Sequence, residues 1–86
     1  MKMNLEQNSA FYKTSDLGLA AALCANGFVI HTVNFAAPRR ATFYYQQSNE
    51  LLQFLKEYWQ FQILIEPQSY FSQLKSLKTR IYESQS

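Results

Sequence analysis

Apolar and polar positions repeat with two periods along this chain, and each switch between them marks an element. Residues 1–9 are polar and unpatterned and read as a flexible N-terminal segment. Ala10-Phe11-Tyr12-Lys13 reads as a short first strand. Thr14 or Ser15 then caps a helix, with Asp16 in its first turn, where a negative charge suits the helix dipole. On a helical wheel Ala20, Ala21 and Cys24 fall within about 60° of Leu17, with Leu19 and Leu23 beside them. Only Gly18, Ala22 and Asn26 form a weak outer stripe, so this helix should be almost surrounded, by its own chain or by a partner. Asn26-Gly27 ends it as a left-handed cap, with Phe28 supplying the hydrophobic contact that follows such caps.

Phe28 to Phe35 is rich in β-branched and aromatic residues and predicts a strand. Simple alternation gives it two faces, Val29-His31-Val33-Phe35 and Phe28-Ile30-Thr32-Asn34, of which the first is the more apolar. Ala36 to Arg40 turns the chain, and Ala41 to Gln47 returns as a second strand. Ser48 caps the next helix, with Leu51, Leu55, Tyr58 and Trp59 at amphipathic spacing. Phe61 to Ile65 is an apolar run of strand length, and Pro67 opens a last helix with Tyr70, Leu74, Leu77 and Ile81 facing the core. The order β-α-β-β-α-(β)-α predicts an α+β fold, a small mixed or antiparallel sheet with helices on one face. It is a variant of the split β-α-β pattern of ferredoxin-like domains. Residues 10–83 should form one compact domain.

Composition narrows the chemistry. At 86 residues the chain has room for one domain with a thin core, and 48% hydrophobic and 16% aromatic residues mark it as folded. The net charge of +2 is too small to imply nucleic acid by itself. No apolar stretch approaches the ~18 residues of a membrane span, and the start lacks a signal-peptide pattern, so a soluble cytoplasmic protein is expected.

Catalytic constellations are hard to build from this chain. One His and one Cys exclude the Cys/His clusters of structural zinc, and two glycines leave no phosphate-cradling loop. Cys24 sits at the C-terminal end of its helix, where the dipole disfavours a reactive thiolate, so a Cys24–His31 dyad is a poor reading beside a packed core thiol. Asp16, Glu50 and Glu66 fall at helix starts, where the dipole already accounts for them. A non-enzymatic protein without cofactor or metal is expected. Lys75, Lys78 and Arg80 flank the apolar stripe of the last helix and read as a solvated surface.

The strongest candidate is Arg39-Arg40, two adjacent guanidiniums at a turn after Pro38, suited to gripping a phosphate or carboxylate bidentately. A hairpin tip also needs soluble residues, which arginine supplies. Lys13 is an auxiliary cation, Tyr44 or Tyr45 a ring on which a base could stack, and His31 a core or rim histidine or else a polar contact on an open face.

The layout invites comparison with RNA-recognition motifs. In the corresponding third strand, Arg40-Ala41-Thr42-Phe43-Tyr44-Tyr45, the basic start and one aromatic remain. Thr42 replaces the first stacking ring, however, and the glycine is missing. Phe11-x-x-Thr14-x-Asp16-Leu17-x-x-Ala20, Gly27-Phe28, Pro38-Arg39-Arg40, Tyr58-Trp59 and Leu77-Lys78-x-Arg80-Ile81-Tyr82 together resemble a family of small bacterial, archaeal and phage domains of unknown function. That resemblance implies a compact stand-alone domain and supplies no activity. Two functions are therefore expected to compete. One is recognition of an anionic ligand, nucleic acid or nucleotide, through Arg39 and Arg40. The other is protein interaction or homo-oligomerisation, compatible with a phage or mobile-element accessory role, through the apolar Leu17–Ala25 helix or the Trp59-Gln60-Phe61 patch.

Overall fold

A computed structural model describes residues 10–37 and 40–84. The expected flexible segment 1–9 and the expected turn at Pro38-Arg39 lie outside the described residues. The elements are β1 (Phe11–Thr14), α1 (Leu17–Ala25), β2 (Ile30–Ala37), β3 (Arg40–Gln46), α2 (Asn49–Trp59) and α3 (Pro67–Glu83). The sheet order is β1-β3-β2, and β3 is antiparallel to both neighbours. β1 and β2 therefore run in the same direction with β3 inserted between them, a split β-α-β unit. The α+β class follows, but the strand expected between the last two helices does not form.

Each helix begins where a side chain satisfies its free N–H groups. Asp16, rather than Thr14 or Ser15, is the N-cap of α1, accepting from the Leu19 N–H at 3.1 Å. The Thr14 hydroxyl instead accepts from the Asp16 N–H at 3.0 Å. Ser48 caps α2 by accepting from the Leu51 N–H at 3.1 Å. Glu66 caps α3, its carboxylate accepting from the N–H groups of Gln68 at 2.9 Å and Ser69 at 2.8 Å. These bonds stabilise its charged form and lower its pKa.

Two helices end in the same motif. After α1, Gly27 (φ 91°) donates to the Cys24 carbonyl and Phe28 to that of Leu23. After α2, Phe61 (φ 59°) donates to the Tyr58 carbonyl and Gln62 to that of Glu57. Both are Schellman caps with a left-handed residue just past the helix. The apolar run Phe61–Ile65 is thus a cap followed by an irregular connector. Ile63 and Ile65 pack on the core, while Leu64 points outward at 96% exposure. That alternation resembles a strand in sequence.

The core forms around α1, whose residues Leu19 to Leu23 are completely buried. Three consecutive alanines, Ala20 to Ala22, let neighbouring elements approach closely, and an apolar surface all round suits a helix enclosed on every side. Ala22 is therefore core rather than part of an outer stripe, and α1 is covered by its own chain, which removes it as a docking surface for another. Ala41, Phe43 and Tyr45 of β3, Leu51, Phe54 and Leu55 of α2, and Leu77 of α3 complete the core. Tyr70, Leu74 and Ile81 pack against it as their spacing predicts, but Trp59 remains 57% exposed.

Candidate functional site

β3 divides the sheet into two chemically different faces. Its burial alternates without a break, with Ala41, Phe43 and Tyr45 buried and Arg40, Thr42, Tyr44 and Gln46 on the opposite side. A strand's period of two dictates this split. In the ladder Lys13 lies opposite Tyr44, and Thr32 pairs with Tyr44 from the other side. Lys13, Tyr44 and Thr32 thus form one row across all three strands on the side away from the helices.

His31 reaches the same face through an irregularity. Between Ile30 and Thr32 the β2–β3 register slips, β2 holding one residue more than β3. A second slip follows between Asn34 and Ala37, again with the extra residue on β2. Bulges are common on edge strands, which they bend away from further pairing. They break the simple alternation, so Ile30 and Val33 turn to the core while Val29 and His31 are exposed. Of the placements expected for His31 (core, rim or open face), this slip excludes the core. Its ring lies 4.5 Å, centroid to centroid, from that of Phe11 on β1, spanning the sheet above Tyr44's strand. Period-two parity from Lys13 puts Phe11 on this face and was the signal available for it.

Of the expected Arg39-Arg40 clamp, Arg40 alone lies among the described residues. Arg40 is the first residue of β3 and is exposed. Three residues of strand lie between it and Tyr44, four steps that span about 14 Å at ~3.4 Å per residue. Lys13 thus lies beside Tyr44 across the ladder, and Arg40 lies on the same face farther along β3. Arg39 lies outside the described residues. No Asp or Glu occurs within any of the three strands. The Ser15 and Thr42 hydroxyls, 3.0 Å apart, fix the exit of β1 to the middle of β3.

Tyr45 is not available for stacking. It is 1% exposed, and its hydroxyl donates to the Ala20 carbonyl at 3.0 Å. That leaves the Cys24 thiol, 3.4 Å away, to donate to the tyrosine oxygen. Burial, reinforced by the Cys24 contact, raises the Tyr45 pKa well above the ordinary tyrosine value. Cys24 is thus a partly buried packing thiol tied to Tyr45, on the helix side of the sheet and away from His31.

Among the described residues, concavities also lie away from this face. One of about 590 Å³ is lined by Asn26, Phe28, Asn49, Glu50, Gln53, Phe54 and Glu57, so its charged groups are acidic. Two apolar ones, of about 350 and 370 Å³, adjoin at Tyr58, Ile63 and Ile65. Among the described residues no group of three or more His, Cys, Asp or Glu could hold a metal ion, and no helix is long and apolar enough to cross a membrane.

A small α+β domain on a split β-α-β sheet, with one face of that sheet facing solvent, is the class these features define. The family model described as a domain of unknown function (DUF5659) matches residues 9–83, and the chain belongs to that family. No curated protein and no solved structure matches the chain.

Proposed function

We propose that the protein is a non-enzymatic cytoplasmic binding module whose open sheet face takes an anionic ligand bearing an aromatic base, a nucleotide or a single-stranded nucleic acid. The observation that carries this reading is the placement of Lys13 and Arg40 on the same face as Tyr44, in strands without a carboxylate. Arg40 and Lys13 neutralise phosphate oxygens on the same face as a ring on which a base stacks. Arg39 joins this set by its sequence position alone. The Phe11–His31 ring pair extends the stacking surface across the sheet.

Fluorescence polarisation with a labelled single-stranded oligonucleotide tests the reading. Two or three phosphate contacts predict a slope of log Kobs against log[salt] of about −1.4 to −2.1. Lys13→Ala/Arg40→Ala should flatten that slope and weaken binding to every sequence alike. Tyr44→Ala should weaken binding without changing the slope. Binding of oligonucleotide and nucleotide that is unaltered in Lys13→Ala/Arg40→Ala defeats the proposal.

A further inference from the structure

A second surface departs from what solvent favours. Phe61 occupies the left-handed position of the α2 cap and is 94% exposed, with Leu64 at 96%, Phe71 at 65% and Trp59 at 57%. Glycine or asparagine suits that backbone position better than a phenylalanine, and a polar side chain suits water better. A residue that is unfavourable on both counts, at a point where the backbone fixes its direction, indicates a partner.

The same surface contains recesses to match its projections. The two adjoining apolar concavities have no charged residue in their linings, and each exceeds the ~150 Å³ that accommodates a benzene ring. One is bordered by Trp59 and Phe61, the other by Pro67 and Phe71. Knobs and holes on one patch are the requirement of a two-fold interface, in which each copy offers the other the surface it receives. The exposed parts of Trp59, Phe61, Leu64 and Phe71 alone amount to roughly 600–700 Å². That approaches the ~800 Å² per partner of a standard stable interface.

We infer that a second copy of this chain docks here, Phe61 and Leu64 of each protomer entering the apolar concavities of the other. The surface contains neither Lys13 nor Arg40, so its occupancy and ligand binding by the sheet are separable.

Analytical ultracentrifugation from about 1 μM to about 1 mM spans the affinities of weak to moderate dimers and tests this directly. Two chains of 10.1 kDa should sediment together, with Leu64→Ser and Phe61→Asn each weakening association about 30-fold, the effect of losing one hot-spot side chain. At concentrations where all chains are monomeric, Phe61→Asn should melt above wild type, because the left-handed backbone suits asparagine. That gain distinguishes lost association from lost folding. A wild-type chain monomeric throughout the range overturns the inference, including when some other protein is found to occupy the patch. So does a Phe61→Asn variant that dimerises as tightly as wild type.

Discussion

Tyr44 and Tyr45 are adjacent in sequence and have opposite surroundings. Tyr45 points between the sheet and α1, completely enclosed, with its hydroxyl spent on the Ala20 carbonyl and the Cys24 thiol. Tyr44 points the other way, into a row with Lys13 and Thr32 at the surface. The difference comes from strand geometry alone, since successive side chains of an unbroken strand leave on opposite sides. It also separates roles. The Phe43 and Tyr45 side holds the domain together, and the Tyr44 side is free to meet a ligand.

That division can be broken in order of effect. Phe43→Ala removes a fully buried ring and should lower unfolding free energy by about 3–5 kcal/mol in urea titrations. A loss under about 1 kcal/mol would contradict its place at the centre of the core. Tyr45→Phe keeps the ring but deletes the hydroxyl bonds, with an expected loss of about 1 kcal/mol. Tyr44→Ala should cost less, a few tenths of a kcal/mol to about 1, from cross-strand contacts only. If Tyr44→Ala proves more damaging than Tyr45→Phe, the two faces have been assigned the wrong way round.

Titration separates them further. The folded state raises the Tyr45 pKa, so its stabilising contribution is complete below the ordinary tyrosine value near 10 and declines as pH rises beyond it. Wild type should therefore lose stability in alkali more steeply than Tyr45→Phe, as measured by melting temperature. At the acid end the signs reverse. Glu66 has a lowered pKa in the folded state, so its capping contribution is present above the ordinary carboxylate range and lost as pH falls through the folded value. Glu66→Gln should remove that acid-dependent step while leaving the alkaline limb unchanged.

Much of the helical part was legible because capping and amphipathic spacing are local. Ser48, Pro67, the Gly27 stop and the Tyr70-Leu74-Leu77-Ile81 stripe all reappear as read. Two of the errors share one cause, an extra or atypical residue that leaves no mark on composition. The bulge between Ile30 and Thr32 shifts the faces of β2, exposing Val29 and His31, which plain alternation places on the more apolar face. Gly27 and Phe61 do the same work at two helix ends, yet only the glycine announces it. Phenylalanine in that position made a cap and connector look like a strand. Of the candidate site, Lys13, Arg40 and Tyr44 emerge together on one face. Tyr45 is removed by burial, since alternation alone does not decide which side of the return strand faces the core.

Amide chemical-shift mapping during titration with a short single-stranded oligonucleotide tests the open-face account most directly. Perturbations should centre on Lys13, Arg40, Thr42 and Tyr44, spread to His31 and Phe11, and leave the Tyr58–Phe71 surface unchanged. Perturbations confined to helical residues, or none at saturating ligand, would contradict it.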